Sequence, residues 1–152
     1  MRKWARELLL LSVVAVVVLS ARSSLASHYK VPTGSMLPTV EIDDRILVNK
    51  TAYGLRVPFT SSYAHRGDDP EIGDVVILDS PVEDKVLLKR VVGTPGHTVE
   101  VAAGRIVIDG KQAPIEERPD GLVETLGQVT HPIRLTHGGG PDWGPIAIPE
   151  DK

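Results

Sequence analysis

Apolar and polar positions divide the chain into two unequal parts. Residues 8–21, LLLLSVVAVVVLSA, carry no charge and show no alternation, so they read as a helix that is apolar all round. Beyond them the apolar residues fall into short Val-, Ile- and Leu-rich runs bounded by Gly, Pro and Asp, which is the pattern of strands. These runs are RILV at 45–48, DVVIL at 74–78, KVLLKRVV at 85–92, HTVEV at 97–101 and RIVI at 105–108. A turn at Ala102-Ala103-Gly104 joins the last two into a hairpin, and Asp109-Gly110 closes it. The polar stretch 58–69 is expected to be an exposed excursion. Residues 111–145, rich in Pro and Gly, are expected to run over the surface with one short strand near 133–135. The predicted fold class is mainly β: an N-terminal transmembrane helix, then a largely antiparallel β domain.

Composition narrows the picture. A chain of 152 residues has room for one domain and an appendage. With one Phe, two Trp and three Tyr, its core must be built from Val, Ile and Leu. The net charge of −3 is spread over interspersed acids and bases, with no basic stripe, so a nucleic-acid partner is not expected. The absence of cysteine excludes a disulfide framework, a thiolate metal site and a cysteine nucleophile. The histidines lack metal spacing, and His131 and His137 fall in the Pro/Gly-rich region, where a solvated role is expected. No metal or organic cofactor is implied, and nothing in the sequence sets an oligomeric state.

Arg2, Lys3 and Arg6 outnumber Glu7 ahead of the apolar run, which orients the N-terminus towards the cytoplasm and exports the remainder. The run is shorter than the ~20 residues of a spanning helix, and Ser24-Leu25-Ala26 suits a cleavage site, so a removable signal peptide is one reading. The other extends the helix from Trp4 to Ala26, with Arg6 and Arg22 reaching towards head groups, as a single transmembrane anchor. On this reading residues 1–26 form the basic end and anchor, and 27–152 the extracytoplasmic domain.

Soon after the anchor comes KVPTGSMLPT at 30–39, where Pro32 and Pro38 stiffen an irregular loop around Ser35. A serine there can simply satisfy a nearby backbone group, or it can be a nucleophile, provided a base removes its proton. Neither His28, His65, His97, His131 nor His137 carries a supporting signature, and there is no G-x-S-x-G elbow. Lys89 sits inside VLLKRVV, sharing a strand face with Leu87 and Val91 while Arg90 faces the other way with Leu88 and Val92. A lysine held against apolar surface loses hydration of its charged form and can serve as a neutral base. It can equally be an edge lysine reaching to water.

Taken in order, VPTGSMLPT, DDRILVNKTAYGLRVP, GDVVILDSP, LLKRVVGTPGHTVEV and GRIVIDGK resemble the bacterial type I signal (leader) peptidase family from about residue 28 to 111. GGGPDWGPIAIPE resembles that family's connecting region before its last motif. The resemblance implies a membrane-bound Ser/Lys endopeptidase of the bacterial cytoplasmic membrane, its catalytic domain on the periplasmic face, removing signal peptides from exported preproteins. Its partners would be those signal peptides and membrane lipid. Ser35 would be the nucleophile and Lys89 the general base. Thr33 would complete an oxyanion hole with the Ser35 backbone N–H. Gly34 would keep the approach open for substrate backbone, Met36 and Pro38 would border the substrate cleft, and Arg90 would support the site. Thr94 and His97 depart mildly from the family's K-R-V-x-G-x-P-G-D stretch. The sequence reaches Lys152 before any G-D-x-x-D-N-S motif, so the β domain is expected to lack its last strands. Two alternatives follow: a catalytically silent peptide-binding relative, and a dedicated pilin or conjugation maturation peptidase of the same clan.

Overall fold

Helix α1, Arg2–Leu25, takes up the N-terminal apolar run together with the basic residues before it. The structure, a computed structural model, describes residues 2–56, 62–135 and 140–150. The helix has 24 residues; among the described residues no helix is long and apolar enough to cross a membrane. Between Glu7 and Arg22 the uncharged stretch rises only about 21 Å at about 1.5 Å per residue, against the ~30 Å of a hydrocarbon core.

The chain separates into two compact units, Met1–Lys30 with Arg45–Asp69, and Val31–Asp44 with Pro70–Lys152. In the first, strand β1 (Ala26–Lys30) pairs antiparallel with β2 (Arg45–Asn49), from Ala26 opposite Asn49 to Lys30 opposite Arg45. Strand β3 (Gly54–Arg56) pairs with β4 (Tyr63–Arg66). ASHYK has little β-propensity of its own; β1 is a strand because RILVN offers it a partner. The stretch expected as an exposed excursion thus contains β4, and its part at 58–61 lies outside the described residues.

In the second unit β5 (Val75–Asp79) and β6 (Val86–Arg90) form a two-stranded antiparallel sheet. Strands β7 (Thr98–Ala102), β8 (Arg105–Ile108) and β9 (Lys111–Gln112) follow as a meander. Two-residue connections join them, with positive φ at Ala103 and Gly104 and again at Asp109 and Gly110, the backbone that right-twisted hairpins require. The expected surface run at 111–145 is corrected: it holds a second meander, β10 (Ile115–Arg118), β11 (Gly121–Leu126) and β12 (Val129–Ile133). Strand β13 (Trp143–Ala147) then joins the edge of β7. Of the short strand expected near 133–135 only Ile133 is in a strand, as the last residue of β12. Val31, Met36, Val99, Ala113, Val123 and Leu126 are the buried apolar side chains among the described residues, and three of them come from the stretch read as surface.

Candidate active site

Val31 anchors the loop that carries Ser35. Its side chain is buried, its N–H donates to the Asp44 carbonyl (2.9 Å), and its own carbonyl accepts from the Asp43 N–H (2.8 Å), so both ends of residues 31–44 are tied together. Inside that clamp, Gly34–Met36 makes one turn of 3₁₀ helix entered from an extended Thr33. The Leu37 N–H donates to the Gly34 carbonyl (3.1 Å) and the Val40 N–H to the Met36 carbonyl (3.1 Å). Met36 is 8% exposed, so its side chain roots the turn instead of lining an open surface. A Cβ at Gly34 would come within 2.7 Å of Leu37 Cδ1 and 3.6 Å of Ile42 Cδ1, so the space expected to stay open for a substrate backbone is taken by the loop's own side chains. Thr33, Ser35 and Pro38 are exposed.

The turn lies against β6, the strand of Lys89. Lys89 stands opposite Val76 of β5 and is exposed, which corrects the expectation of a lysine packed against apolar surface. Neighbouring Leu87, Leu88 and Arg90 are half-buried, so β6 does not keep a strict two-residue alternation. A two-stranded sheet leaves much of its surface to solvent, and period alone could not say which face would be covered. Among the described residues no ion pair or side-chain hydrogen bond holds the Lys89 amine. His28 and His65 belong to the first unit, His137 lies outside the described residues, and His97 Nδ1 sits 3.2 Å from Thr94 Oγ1 within its own turn. An exposed hydroxyl thus stands on a turn packed against a strand that bears an exposed primary amine.

Arg90 points elsewhere. Its Nη1–H donates to the Gly73 carbonyl (2.6 Å), and burial lowers its pKa while the charge of Glu124 opposes that shift. Glu124, only 5% exposed, faces His131 across the β11–β12 pair with Oε2 3.6 Å from Nε2. Burial raises the Glu124 carboxyl above the usual carboxylate range, against the pull of Arg105 and Arg90. Burial lowers His131, aided by the charge of Arg90 and opposed by a hydrogen bond with the Val129 backbone. The solvated role expected of His131 is therefore corrected: its side chain is 10% exposed and belongs to a buried charged cluster. Sequence reading passes over this pair, yet a signal is present. Leu126 and Val129 face each other around Gly127-Gln128, and counting outward from that two-residue turn sets Glu124 opposite His131.

The family model described as signal peptidase, peptidase S26, matches residues 1–132. The chain is 39% identical over 132 residues to Signal peptidase I of Pseudomonas aeruginosa, a match that covers 80% of this chain and 46% of that protein. It is 30% identical over 147 residues to Signal peptidase I of Leptolyngbya laminosa, covering 90% and 57% respectively. A probable thylakoidal processing peptidase 2 of Arabidopsis thaliana is 32% identical over 153 residues, covering 87% of this chain and 37% of that protein. The chain spans about half the length of the curated relatives it matches. No solved structure matches. Because the family match runs through the Ser35 turn, the Lys89 strand and the Glu124–His131 hairpin, the chain belongs to the signal peptidase family, peptidase S26.

Proposed function

We propose that the chain is a serine endopeptidase that removes signal peptides from exported preproteins with Ser35 and Lys89 as its dyad. The observation that carries this reading is the packing of the Ser35 turn against the Lys89 strand within one compact unit. In the proposed reaction the Lys89 amine accepts the Ser35 hydroxyl proton as Oγ attacks the scissile carbonyl. The tetrahedral oxyanion is met by the Ser35 backbone N–H and the Thr33 hydroxyl. Collapse breaks the C–N bond, the new amine takes its proton from Lys89, and the acyl group remains on Ser35. Water then attacks that ester, giving one proton to Lys89; the acyl C–Oγ bond breaks as Lys89 returns that proton to Ser35 Oγ, and the acid product leaves and ionises to a carboxylate. Membrane attachment through α1 is part of the same reading: it would hold the extracytoplasmic domain at the periplasmic face, where signal peptides emerge.

The test is cleavage of a purified preprotein in detergent. Ser35→Ala and Lys89→Arg should each lower turnover by about a thousandfold or more, because alanine has no nucleophile and arginine fills the site with a charge it cannot shed. Lys89→Arg should bind the signal peptide nearly as well as wild type, and turnover within about tenfold of wild type in either variant would dismiss the dyad. The exposed Lys89 gives weight to one second reading, a peptide-binding relative without turnover. That reading predicts signal-peptide binding by wild type, with no cleavage for the substitutions to remove.

A further inference from the structure

Ser24-Leu25-Ala26 puts small residues one and three positions before the Ala26–Ser27 bond, directly after an apolar run. A retained α1 leaves this motif without a role, although the chain belongs to the signal peptidase family. The fold around the bond supplies one. Ser24 and Leu25 are the last residues of α1, and Ala26 opens β1. Ala26 stands opposite Asn49, Ser27 opposite Val48 and His28 opposite Leu47 in the antiparallel pair with β2. Helix therefore passes into paired strand at this bond with no loop between them.

An endopeptidase needs the residues on both sides of its scissile bond extended and free to lie in its cleft. Here the two residues before Ala26 are helical, rising about 1.5 Å each where an extended chain rises about 3.3 Å, and the residues from Ala26 onward are paired with β2. Side-chain exposure is not what withholds the bond, since Ala26 and His28 are exposed and Ser27 is half-buried. The backbone withholds it, and only local opening of β1 from β2 releases it. That opening is within reach, because β1 and β2 form a sheet of two strands, and ASHYK depends on its partner to be a strand.

We propose that the Ala26–Ser27 bond is a latent cleavage site for the chain's own reaction, and that β1–β2 pairing keeps it intact. The proposal rests on the Ser/Lys reading of the site. One copy cuts another: one water is consumed, the Ala26 C–Ser27 N bond breaks, Ala26 leaves as a carboxylate and Ser27 as a new α-amine. The cut severs α1 from everything after it, so the product keeps Thr33, Ser35 and Lys89 and loses the apolar helix. Paired, β1 makes the helix a retained anchor; unpaired, it makes the helix a removable leader. The two readings that the N-terminal sequence allows are then two states of one chain.

The test uses the full chain carrying Ser35→Ala as substrate, so that only added enzyme cuts it. The enzymes are the wild-type chain and the Pseudomonas aeruginosa relative, each first assayed on a preprotein in detergent. The chain has no cysteine, so His28→Cys with Leu47→Cys, at facing exposed positions, places one disulfide across β1 and β2. Mass spectrometry follows the product that begins at Ser27. The oxidised substrate should be cut at least about tenfold more slowly than the reduced one, because cleavage tracks the population of the open strand. Successive N–H groups of a strand point to opposite sides, so either Leu47→Pro or Val48→Pro removes a bond to β1 and should speed cleavage about tenfold. The disulfide pair carries the test if the proline variants do not fold. Ala26→Glu, at an exposed position, should abolish the product. Equal rates for oxidised and reduced substrate, or no product beginning at Ser27 from two enzymes that both cut the preprotein, would overturn the proposal and leave the Ser/Lys reading standing. Product from the relative alone, with wild type cutting no preprotein, would sink the Ser/Lys reading and leave the masked bond standing.

Discussion

At the scale of single residues, two glycines with similar backbones separate strain from crowding. Gly110 has φ +73 with nothing within 4 Å of an added Cβ, whereas Gly73 has φ +104 and a Cβ there would collide with Val129 and the Leu126 carbonyl. Gly110→Ala should therefore cost only the conformational penalty, about 1 kcal/mol. Gly73→Ala adds displacement of the β11–β12 hairpin and should cost about 3 kcal/mol or more, measured by urea unfolding of both variants. Leu126, 1% exposed, is the most deeply buried side chain described, and Leu126→Ala should cost about 2–5 kcal/mol in the same assay. The turn that carries Ser35 is legible at this scale, because two prolines and a glycine around one serine announce a rigid, irregular loop. The exposure of Lys89 was not legible: a run of alternating apolar residues reports that a strand exists, not which of its faces other elements will cover.

Elements were legible where turn chemistry stood between strong β runs and were lost where composition masked it. Ala103-Gly104 announced the β7–β8 hairpin, whereas Asp109-Gly110, read as the close of that strand pair, turns the chain into β9 as a second hairpin; all four residues have positive φ. The β10–β12 meander was lost because its strands, IEER, GLVETL and VTHPI, are rich in charge and interrupted by Pro, although Pro119-Asp120-Gly121 is itself a turn signal joining the first two. Inside this meander Glu124 and His131 titrate with opposite sign. Because burial and Arg90 lower the folded His131, the unfolded chain takes up its proton first. Its contribution is present above about pH 6.5 and is lost as pH falls through the lower folded value. Burial raises Glu124, so its contribution is present below about pH 4.3 and is lost as pH rises through the higher folded value. Arg90 and Arg105 are the charges that face this pair. His131→Gln removes the first effect, so the stability advantage of wild type over this variant should shrink between about pH 7.5 and pH 5.5 in urea titrations. An advantage that stays constant would mean that His131 does not titrate with folding.

For the whole molecule the tension lies in the N-terminal helix. Its uncharged stretch is short for a span, yet Leu8, Leu9, Leu10, Leu11, Val13, Val14, Val16, Val18 and Leu19 are all more than half exposed. A helix apolar on every side and uncovered by its own chain has no stable place in water, where each such side chain forgoes about 1.5–3 kcal/mol of burial. Lipid satisfies it without demanding a complementary protein surface, and Arg2, Lys3 and Arg6 at its start add attraction to anionic head groups, about 1 kcal/mol each. An anchor at this position requires exposed leucines and valines. The decisive variant puts charge into the middle of the run at positions already open to solvent, so that the folded units are left alone. Leu11→Lys with Val14→Lys should cost about 5–7 kcal/mol together if those positions lie in hydrocarbon. The measurement is co-sedimentation with phosphatidylcholine and phosphatidylglycerol vesicles at about 0.5 M salt, where head-group attraction is screened. Wild type should pellet and the double variant should stay in solution with its β-sheet circular dichroism unchanged. Equal pelleting of the two would mean that residues 8–21 do not enter the bilayer, and that the exposed apolar face of α1 is covered by protein instead.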